Sequence, residues 1–356
     1  MATRAGARKG RGATSNTSGR FESHAREVFD DGWGTADEPA PRLRTTVEVD
    51  HSRTVLSFND SPDVPFDRSV NPYRGCEHGC VYCYARPTHA YLGLSPGLDF
   101  ESRIFYKPGA AAQLRTELAR RGYACAPIAF GANTDPYQPL EKRLRVTREL
   151  LEVLLEARHP LHITTKSALV ERDIDLLVAL AAHRLVTVHV SVTTLDRDLA
   201  RRMEPRAAAP ERRLRAVRTL ADAGVPVSVF AAPLIPGLND HELEAILEAA
   251  RGNGACDARY IVLRLPGEVA ELFTGWLEAH YPLRASKVLS RIRDLRGGRL
   301  SQSDFGLRMH GRGIQADLIA RRFDVAYRRL GFEGLPTLDT AAFTPPRVPS
   351  AQLELF

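Results

Sequence analysis

The sequence predicts an α/β protein whose strands form a closed or partly closed (β/α) barrel. From about residue 69 to residue 266, short apolar runs alternate with longer helical patterns, which is typical of strand–helix units and a parallel sheet. Five or six such units fit a barrel. An open doubly wound sheet is the alternative, but no G-x-G-x-x-G motif follows the first strand.

The elements are predicted in alternating order along the chain. The strand candidates are Pro127–Gly131, Leu161–Thr165, Val186–Val192, Val225–Ala231 and Tyr260–Leu265. The helix candidates are Ala110–Arg121, Leu140–Ala157, Glu171–His183, Glu211–Ala223 and His241–Arg251. Gly224 follows the fourth helix pattern at the position where a left-handed residue ends a helix, and a strand pattern begins at once.

The chain divides into four regions by composition. Residues 1–45 are rich in Gly, Ala, Arg, Ser and Thr and predict a disordered basic arm. Residues 46–265 hold the barrel domain. Residues 266–335 read as a helical, basic C-terminal extension, and residues 336–356 as a proline-rich tail that is also disordered.

Composition excludes several classes of protein. Hydrophobic residues make up 44% and charged residues 26%, which is ordinary for a globular chain. The sequence has no 18-residue apolar span, so we expect no transmembrane helix and no membrane partner. It also has no apolar segment near the N-terminus, so we expect no secretory signal. Five cysteines, three of them within eight residues, favour a metal or redox site in a reducing, cytoplasmic compartment.

The positive charge is concentrated in the two flanks of the chain. The net charge is +6, but residues 1–20 carry five basic side chains and no acid, and residues 284–329 carry twelve basic and four acidic side chains. The remainder is therefore acidic. Concentrated positive charge suits a polyanion-binding face, because phosphate contacts release counterions. A solvated arginine-rich helix is the alternative interpretation.

The strongest chemical signal is a group of three cysteines, Cys76, Cys80 and Cys83. Gly75 and Gly79 let the backbone turn tightly, so that three thiolates can converge on one small object. Three thiolates can bind three irons of a cubane cluster and leave the fourth iron open to a substrate or cosubstrate.

A structural zinc ion is the alternative occupant of this group. Zinc needs four ligands, usually supplied as two paired spacings. His78 or His89 would have to complete the set, because neither Cys125 nor Cys256 belongs to a second C-x-x-C pair. A zinc-stabilised, non-enzymatic nucleic-acid-binding protein is therefore an open alternative.

The spacing C-x3-C-x-aromatic-C at the start of a barrel resembles the radical S-adenosylmethionine (SAM) superfamily over roughly residues 68–265. The resemblance implies a partial (β/α)6 TIM-like barrel and a 4Fe-4S cluster whose open iron is chelated by SAM. It implies a radical SAM enzyme that cleaves SAM reductively to a 5′-deoxyadenosyl radical for hydrogen abstraction. An electron donor, unidentified by the sequence, must reduce the cluster.

Further segments are similar to the spore-photoproduct-lyase-like branch of that superfamily and its bacterial relatives. They are 71–76, 133–141, 163–167, 203–206 and 233–240. Each follows or caps a predicted strand, and the carboxyl ends of barrel strands are where active sites lie. The resemblance thus implies a lyase-like enzyme of DNA repair.

The resemblance assigns the three cysteines to the cluster and eight further residues to SAM. The eight are Tyr82, Asn133, Thr134, Asp135, Lys166, Ser191, Pro233 and Ile235. Lys166 matches a lysine that contacts the SAM carboxylate, and an ammonium beside an anion is physically sensible. The segment 133–135 matches the site of the SAM amino group, and 233–237 the adenine wall. The alternatives are structural: Tyr82 packs over the cluster, Lys166 is exposed to solvent, and Ser191 is a hydrogen-bonded hydroxyl at a strand end. Asp135 and the segment 233–237 could instead be turn residues.

Tyr82 and Tyr84 resemble the radical-relay tyrosines of the lyase family. The family's hydrogen-donating cysteine, just after the second strand, has no counterpart in Gly131–Asp135. Cys125 lies before that strand, and Cys256 is read as a small core residue. We therefore expect SAM radical chemistry on DNA but not repair of the spore photoproduct itself. RNA, protein or small-molecule substrates are the alternatives.

The chain ends in an apolar pentapeptide after its proline-rich tail. Gln352, Leu353, Leu355 and Phe356 carry the pattern Q-L-x-L-F, which resembles the peptide by which bacterial repair proteins dock on the DNA sliding clamp. Packing of the same side chains on the chain's own barrel is the alternative. Together with the basic flanks, the motif favours a task on DNA.

Overall fold

A computed structural model of the chain describes residues 9–22 and 43–348. Its ten strands are β1 (Thr46–Val49), β2 (Leu56–Phe58), β3 (Arg68–Val70), β4 (Tyr73–Arg74), β5 (Arg103–Tyr106), β6 (Ile128–Phe130), β7 (Leu161–Thr165), β8 (Val186–Ser191), β9 (Val227–Leu234) and β10 (Asp257–Val262). They form a sheet of seven strands and a smaller sheet of three.

The large sheet confirms the predicted α/β fold class. Its order is β10-β9-β8-β7-β6-β3-β2, and the six strands from β10 to β3 are parallel. β2 pairs antiparallel with β3 at one edge. Within the described residues the two edge strands, β10 and β2, do not pair, so the barrel is partial and open. All five predicted strands are present, and β3 adds a first strand that was not among the candidates.

Helices follow the strands and cover the sheet. They are α1 (Leu98–Ser102), α2 (Ala110–Leu118), α3 (Glu141–Leu144), α4 (Val146–Glu156), α5 (Ile174–Ala181), α6 (Arg197–Met203), α7 (Pro210–Asp222), α8 (Leu243–Gly252), α9 (Val269–His280), α10 (Pro282–Leu295), α11 (Leu307–His310) and α12 (Ile314–Arg329). Short 3-10 helices span Arg86–Leu92, Ala168–Asp173 and Asp240–Glu242. The predicted helix 140–157 is split because Arg145 adopts a left-handed conformation with φ 58°.

The apolar core lies between the sheet and its helices. In β8, Val186, Val188 and Val190 are fully buried and belong to this core. Because successive side chains of a strand point to opposite faces, Thr187 and His189 face the interior of the curved sheet. The strand thus packs apolar groups outward under the helices and presents polar groups to the barrel interior.

The C-terminal extension bridges the two open edges of the sheet. On one side the guanidinium of Arg296 donates to the carbonyl oxygens of Val262 (3.0 Å) and Leu263 (2.6 Å), where β10 ends. On the other side the side chain of Arg308 pairs with Asp63, in the segment between β2 and β3. Arg296 also donates to the carbonyl of Arg308 at 2.9 Å. Side chains rather than a strand seam therefore close this side of the barrel.

The N-terminal strap, residues 9–22, lies within the arm that the sequence predicts to be disordered. In the structure it is packed instead. The backbone N–H groups of Gly12 and Ala13 donate to the Glu101 carboxylate at 2.9 and 2.8 Å, and the buried Arg11 donates to the Glu101 carbonyl at 2.6 Å. Small residues allow this close approach, since a Cβ at Gly12 would lie 1.8 Å from the Gly79 oxygen. The strap thereby adds a layer outside the cysteine group.

The small sheet has the order β1-β5-β4 and leads directly into the cysteine segment. β4 pairs antiparallel with β5, with Arg74 opposite Phe105. No helix among the described residues is both long and apolar enough to cross a membrane.

Candidate functional site

The cysteine loop, which we define as residues 75–86, begins where β4 ends. The Cys76 N–H donates to the Phe100 carbonyl at 2.9 Å, and the Cys83 N–H donates to the Cys80 carbonyl at 3.2 Å. Gly75 has φ 77°, and a Cβ there would meet the Phe100 oxygen at 2.9 Å. The loop therefore requires glycine at this turn. All three predicted cluster ligands belong to this one loop.

Arg86 holds the cysteine loop from inside the protein. Its guanidinium is completely buried and donates to the carbonyls of Cys80 (2.8 Å) and Gly79 (3.2 Å). It also donates to the carbonyls of Pro96 and Gly97 and to the carboxylate of Glu101. A planar guanidinium has five donors, so one side chain fixes several turns of the loop. The sequence pattern gave no indication of this role for Arg86.

Gln138 holds the loop from the opposite side. Its side-chain oxygen accepts the Glu77 N–H at 2.9 Å, and its side-chain amide donates to the Gly75 carbonyl at 3.1 Å. Gln138 is fully buried, so both bonds are protected from water. Gln138 lies in a segment that the resemblance selects, 133–141, but only the structure shows that its side chain bonds to two parts of the cysteine loop.

The chemistry of the loop suits an iron–sulfur cluster better than zinc. Its donors are three soft thiols. Each histidine that could complete a zinc tetrad has one ring nitrogen held by another group: His78 Nδ1 lies 3.2 Å from the Asp135 carboxylate, and His89 Nε2 lies 2.9 Å from the Arg103 carbonyl. Among the described groups, the buried His89 Nδ1 has no hydrogen-bond partner. In the described part of the chain, no three His, Cys, Asp or Glu side chains are grouped to hold a single metal ion.

The thiols are protonated without a metal. Burial raises the pKa of Cys80 to about 12 and that of Cys76 well above its usual value. A coordinated cation reverses this preference, because a metal-bound thiol loses its proton.

Tyr82 enters a buried polar network beside the loop. Its hydroxyl donates to the carboxylate of Glu204, which also accepts a 2.5 Å hydrogen bond from Thr193 Oγ1 and an ion pair from Arg213. Burial disfavours the Glu204 anion, but Arg213 and Lys166 hold the pKa of Glu204 below its usual value. Glu204, Thr193 and Arg213 were not predicted as site residues. Of the three, only Glu204 lies in a segment that the resemblance selects, residues 203–206.

Lys166 lies next to this network, at the end of β7. Its Nζ is 5.9 Å from the centre of the Tyr82 ring. Burial opposes its charge, yet the neighbouring Glu204 carboxylate raises the pKa of Lys166, so the ammonium remains charged. The structure therefore brings this predicted residue to the cysteine loop, with its charge directed at the same region as Tyr82.

Asp135 is fully engaged by neighbouring groups. Its carboxylate accepts from Thr165 Oγ1 (2.7 Å), from the Lys166 N–H (2.7 Å) and from the Tyr137 N–H (2.9 Å), and it contacts His78. Burial opposes ionisation, but His78 and these donors lower the pKa of Asp135 to about 2. A SAM amino group would have to displace one of them. Asp135 therefore anchors the cysteine loop to the ends of two strands.

Asn133 and Thr134 also tie the end of β6 to the chain before the cysteine loop. Both N–H groups donate to Asn71 Oδ1, at 2.9 and 3.3 Å, and Thr134 Oγ1 donates to the Tyr73 carbonyl at 2.8 Å. These bonds set the distance between the first two strand ends.

The segment after β9 is pinned to the Tyr82 network by Asn239. Its side chain accepts the Ile235 N–H (2.6 Å) and donates to the carbonyls of Thr193 (2.7 Å) and Pro233 (3.0 Å). Ser191, also predicted, is buried, and its carbonyl accepts from Arg213 at 3.0 Å. The structure thus brings these three predicted residues to the same strand ends as Tyr82.

Tyr84 differs from Tyr82 in its surroundings. Its ring is about half exposed, at 49%. The hydroxyl donates to the Ala132 carbonyl, and the guanidinium of Arg264 lies 5.7 Å from the ring centre. Tyr84 therefore lies at the surface end of the site.

The interior of the barrel holds polar side chains that sequence reasoning missed. His162 Nδ1 lies 2.7 Å from Thr187 Oγ1, and the His162 and His189 rings are 5.7 Å apart. Among the described groups, the buried His189 Nδ1 has no hydrogen-bond partner. Burial lowers the pKa of His189 to about 3, so this imidazole is neutral. In the sequence, only the alternation of apolar and polar residues along β7 and β8 could have indicated these two histidines.

The two remaining cysteines lie far from the strand ends that carry the site. Cys125 precedes β6, and Cys256 precedes β10, where its N–H donates to the Val227 carbonyl at 2.9 Å. Both are therefore at the amino ends of parallel strands. The predicted clamp-binding residues Gln352, Leu353, Leu355 and Phe356 lie outside the described residues.

Comparison with known proteins gives a family match and several relatives. A model of the radical SAM superfamily matches residues 70–250. An uncharacterised protein of Mycobacterium tuberculosis is 37% identical over 234 residues, which cover 65% of this chain and 68% of the relative. An uncharacterised protein of Methanocaldococcus jannaschii is 30% identical over 173 residues, which cover 49% of this chain and 62% of that protein.

Solved structures give a match in fold. Spore photoproduct lyase complexed with a dinucleoside spore photoproduct superposes with a TM-score of 0.55 and 17% identity, covering 80% of this chain and 78% of that one. A mutant of the same lyase with bound AdoMet and the dinucleoside gives a TM-score of 0.52 at 17% identity, with the same coverage.

Proposed function

The chain belongs to the radical SAM superfamily, and we propose that this radical SAM enzyme uses a 4Fe-4S cluster and SAM to act on damaged or modified bases in DNA. The observation that carries the SAM chemistry is the cysteine loop, where Cys76 and Cys80 are buried and Cys83 is partly buried within eight residues of one another. The DNA substrate is supported by the charge distribution of the chain and by the fold shared with a lyase whose structure contains a dinucleoside photoproduct.

The three cysteine thiolates would hold the cluster. When bound, such a cluster supplies an electron to SAM and so yields the 5′-deoxyadenosyl radical that abstracts hydrogen from a substrate. Arg86 and Gln138 keep the loop in the conformation that presents the thiols. The strap and Phe100 cover the loop and limit access of water.

Lys166 and Tyr82 would contact SAM. An ammonium at the end of β7 is suited to the SAM carboxylate, because opposite charges in a partly buried site attract strongly. The Tyr82 ring is held by the bond from its hydroxyl to Glu204, so it can wall one side of the cofactor. The segment from Pro233 to Ile235, pinned by Asn239, is proposed to form the adenine wall. Ser191 and the residues 133–135 complete the proposed SAM contacts.

The reaction is proposed to be lyase-like, but on a lesion other than the spore photoproduct. Cys125 and Cys256 lie at the amino ends of strands, so neither thiol is positioned to return a hydrogen atom at the site. Tyr82 and Tyr84 belong to the cysteine loop and are the proposed relay residues. A base in duplex DNA would have to leave the stack to reach the barrel interior.

The C-terminal Q-L-x-L-F motif is proposed to bind the DNA sliding clamp. Apolar residues at positions 353, 355 and 356 suit a pocket on a partner protein. Binding of the full-length chain to purified clamp, lost in the Leu355→Ala/Phe356→Ala variant, would support this. Equal binding by both proteins would contradict it.

The catalytic proposal is tested by anaerobic reconstitution with iron and sulfide, followed by SAM and dithionite. We expect 5′-deoxyadenosine from the wild type and the Cys125→Ala control, and none from Cys83→Ala. Irradiated DNA should raise the yield above that with intact DNA or RNA. Equal yield with all nucleic acids would refute the DNA substrate, and zinc in place of iron in protein isolated without oxygen would refute the cluster.

A further inference from the structure

A cavity of about 1130 Å³ opens on the outer side of the cysteine loop. Its lining comes from the strap, from β1 and the residues before it, from the cysteine loop, from the segment before α4 and from the segment between α6 and α7. The charged lining residues are Lys9, Arg11, Arg44, Glu77, Lys142, Arg143 and Arg206. None of the residues proposed to contact SAM is among them. We call this feature the basic cleft.

The basic cleft has a strong excess of positive charge. Six cationic side chains and a single carboxylate line it. Glu77 pairs with Arg206 at 2.8 Å, which leaves five cations without a carboxylate in the lining. Arg11 is held by the carbonyls of Glu101 and Leu43.

Four cations of the cleft are available to a ligand. They are Lys9, Arg44, Lys142 and Arg143, and all four are exposed. In the described residues none of them has an ion-pair partner.

Part of the positive charge of the C-terminal extension, by contrast, is paired with acids of the protein itself. Arg322 pairs with Glu244, and Arg329 pairs with Glu248 at 2.6 Å, so the acids of α8 neutralise the facing side of α12. Arg296 and Arg308 are engaged in bridging the sheet edges. The sequence suggested this region as a polyanion-binding face, but several of its arginines hold the fold together.

We propose that the basic cleft binds the phosphodiester backbone of the nucleic-acid substrate, an inference that rests on the proposed action on DNA. Arginine forks match phosphate oxygens in two parallel hydrogen bonds, and two of the four available cations, Arg44 and Arg143, are arginines. The volume exceeds that of most small-molecule pockets, which suits a stretch of chain rather than a single anion.

The lining of the basic cleft also predicts which part of a nucleic acid it recognises. It contains no aromatic side chain on which a base could stack, so recognition is of phosphates and not of sequence. An acidic electron-carrier protein is the other macromolecule that charge alone would allow. A nucleic-acid backbone fits the concave cleft better, because its phosphates form a narrow charged ridge, whereas a globular carrier presents a broad convex face.

The test measures binding of fluorescein-labelled mixed-sequence oligonucleotides, single-stranded and duplex, to the full-length protein over a range of salt concentrations. The variant is Lys142→Gln/Arg143→Gln, whose side chains are exposed and lie outside the core. The matched control is Arg284→Gln/Lys287→Gln, an exposed pair on α10. Thermal unfolding confirms that both variants fold.

We expect the cleft variant to weaken duplex binding at low salt by about tenfold or more. The slope of log K against log salt should fall in magnitude by about 2, since two phosphate contacts are lost. The α10 control should keep the wild-type slope. The loss of affinity should be the same for all oligonucleotide sequences tested.

Two results would overturn the proposal while leaving action on DNA intact. In one, the cleft variant binds like the wild type and the α10 variant loses affinity. In the other, the cleft variant binds DNA normally but forms 5′-deoxyadenosine only with dithionite and not with an acidic carrier protein, which would make the cleft a reductant-docking surface. Absence of wild-type DNA binding at low salt would instead refute the DNA substrate itself.

Discussion

The guanidinium of Arg86 lies 2.5 Å from the carboxylate of Glu101, and both side chains are completely buried. Glu101 also accepts the N–H groups of Gly12 and Ala13, while Arg86 donates to the Cys80 carbonyl. One ion pair therefore joins the strap, the cysteine loop and α1. Removing one partner leaves the other as an unpaired buried charge.

Glu101→Gln should destabilise the protein and lower its iron content. Removing one member of a buried pair costs about 3–5 kcal/mol of unfolding free energy, because the remaining charge is uncompensated. Urea unfolding and iron per chain after reconstitution measure both effects. Glu48→Gln is the matched control: its pair with Arg103 is more than two-fifths exposed, so the loss should stay below about 1 kcal/mol. Equal behaviour of the two variants would contradict the prediction.

Gly12→Ala should displace the strap from the cysteine loop. The added Cβ would lie 1.8 Å from the backbone oxygen of Gly79, and backbone cannot move aside without disturbing the loop. We expect a loss of about 1–3 kcal/mol, as for other overpacked sites, together with faster loss of iron in air. Gly275→Ala is the control, because its nearest neighbour would be 3.7 Å away and alanine favours a helix. A stable, air-resistant Gly12→Ala protein would show that the strap does not protect the loop.

Lys166→Met should weaken SAM binding by about 10–100-fold, because a hydrogen bond to a charged group contributes about 1.5–3 kcal/mol. Iron content should be unchanged, since the side chain is not a cluster ligand. Equilibrium dialysis of SAM against the reconstituted protein measures the affinity, and Lys166→Arg should recover part of it. The exposed Lys287→Met serves as the control. If Lys166→Met loses iron instead of SAM affinity, the lysine supports the loop rather than the cofactor.

His159 should make the protein less stable in acid. It is fully buried, donates from Nδ1 to the Pro160 carbonyl and accepts at Nε2 from Tyr123, and burial lowers its pKa to about 4. The unfolded chain, with a histidine pKa of about 6.5, therefore binds more protons between those values, and stability falls as the pH falls through that window.

His159→Gln should remove about 2.5 kcal/mol of the stability difference between pH 7 and about pH 4.5. Urea unfolding at the two pH values gives the difference for each protein. His51→Gln, for a histidine that is exposed, should leave it unchanged. If the unfolding free energy of His159→Gln still falls between pH 7 and about pH 4.5 as in the wild type, other buried groups cause the loss of stability in acid.

The regular part of the fold follows from local patterns. The apolar runs at β7 and β8 and the glycine at 224 are local signals, and each appears as predicted. The cysteine spacing and the two glycines beside it likewise specify a tight loop. Local signals are sufficient here because neighbouring residues alone determine the apolar periodicity of a strand and the conformation of a tight turn.

The contacts that complete the site join distant parts of the chain. Nothing in the spacing brings Glu204 and Arg213 to Tyr82, because the three come together only when α6 and α7 pack on the sheet. The strap is misleading for the same reason: its composition is typical of disorder, and the carboxylate that orders it is 88 residues away at Glu101. The basic extension looked like a binding face because Asp63, its partner, lies far upstream.

The bridge made by Arg296 and Arg308 affects how the barrel can change its width. A barrel closed by paired strands has a circumference fixed by strand number and shear. Here one side is joined by guanidinium contacts to carbonyls and to Asp63, so that side can yield while every β-ladder remains intact. The interior could therefore widen on that side without the loss of any strand pairing.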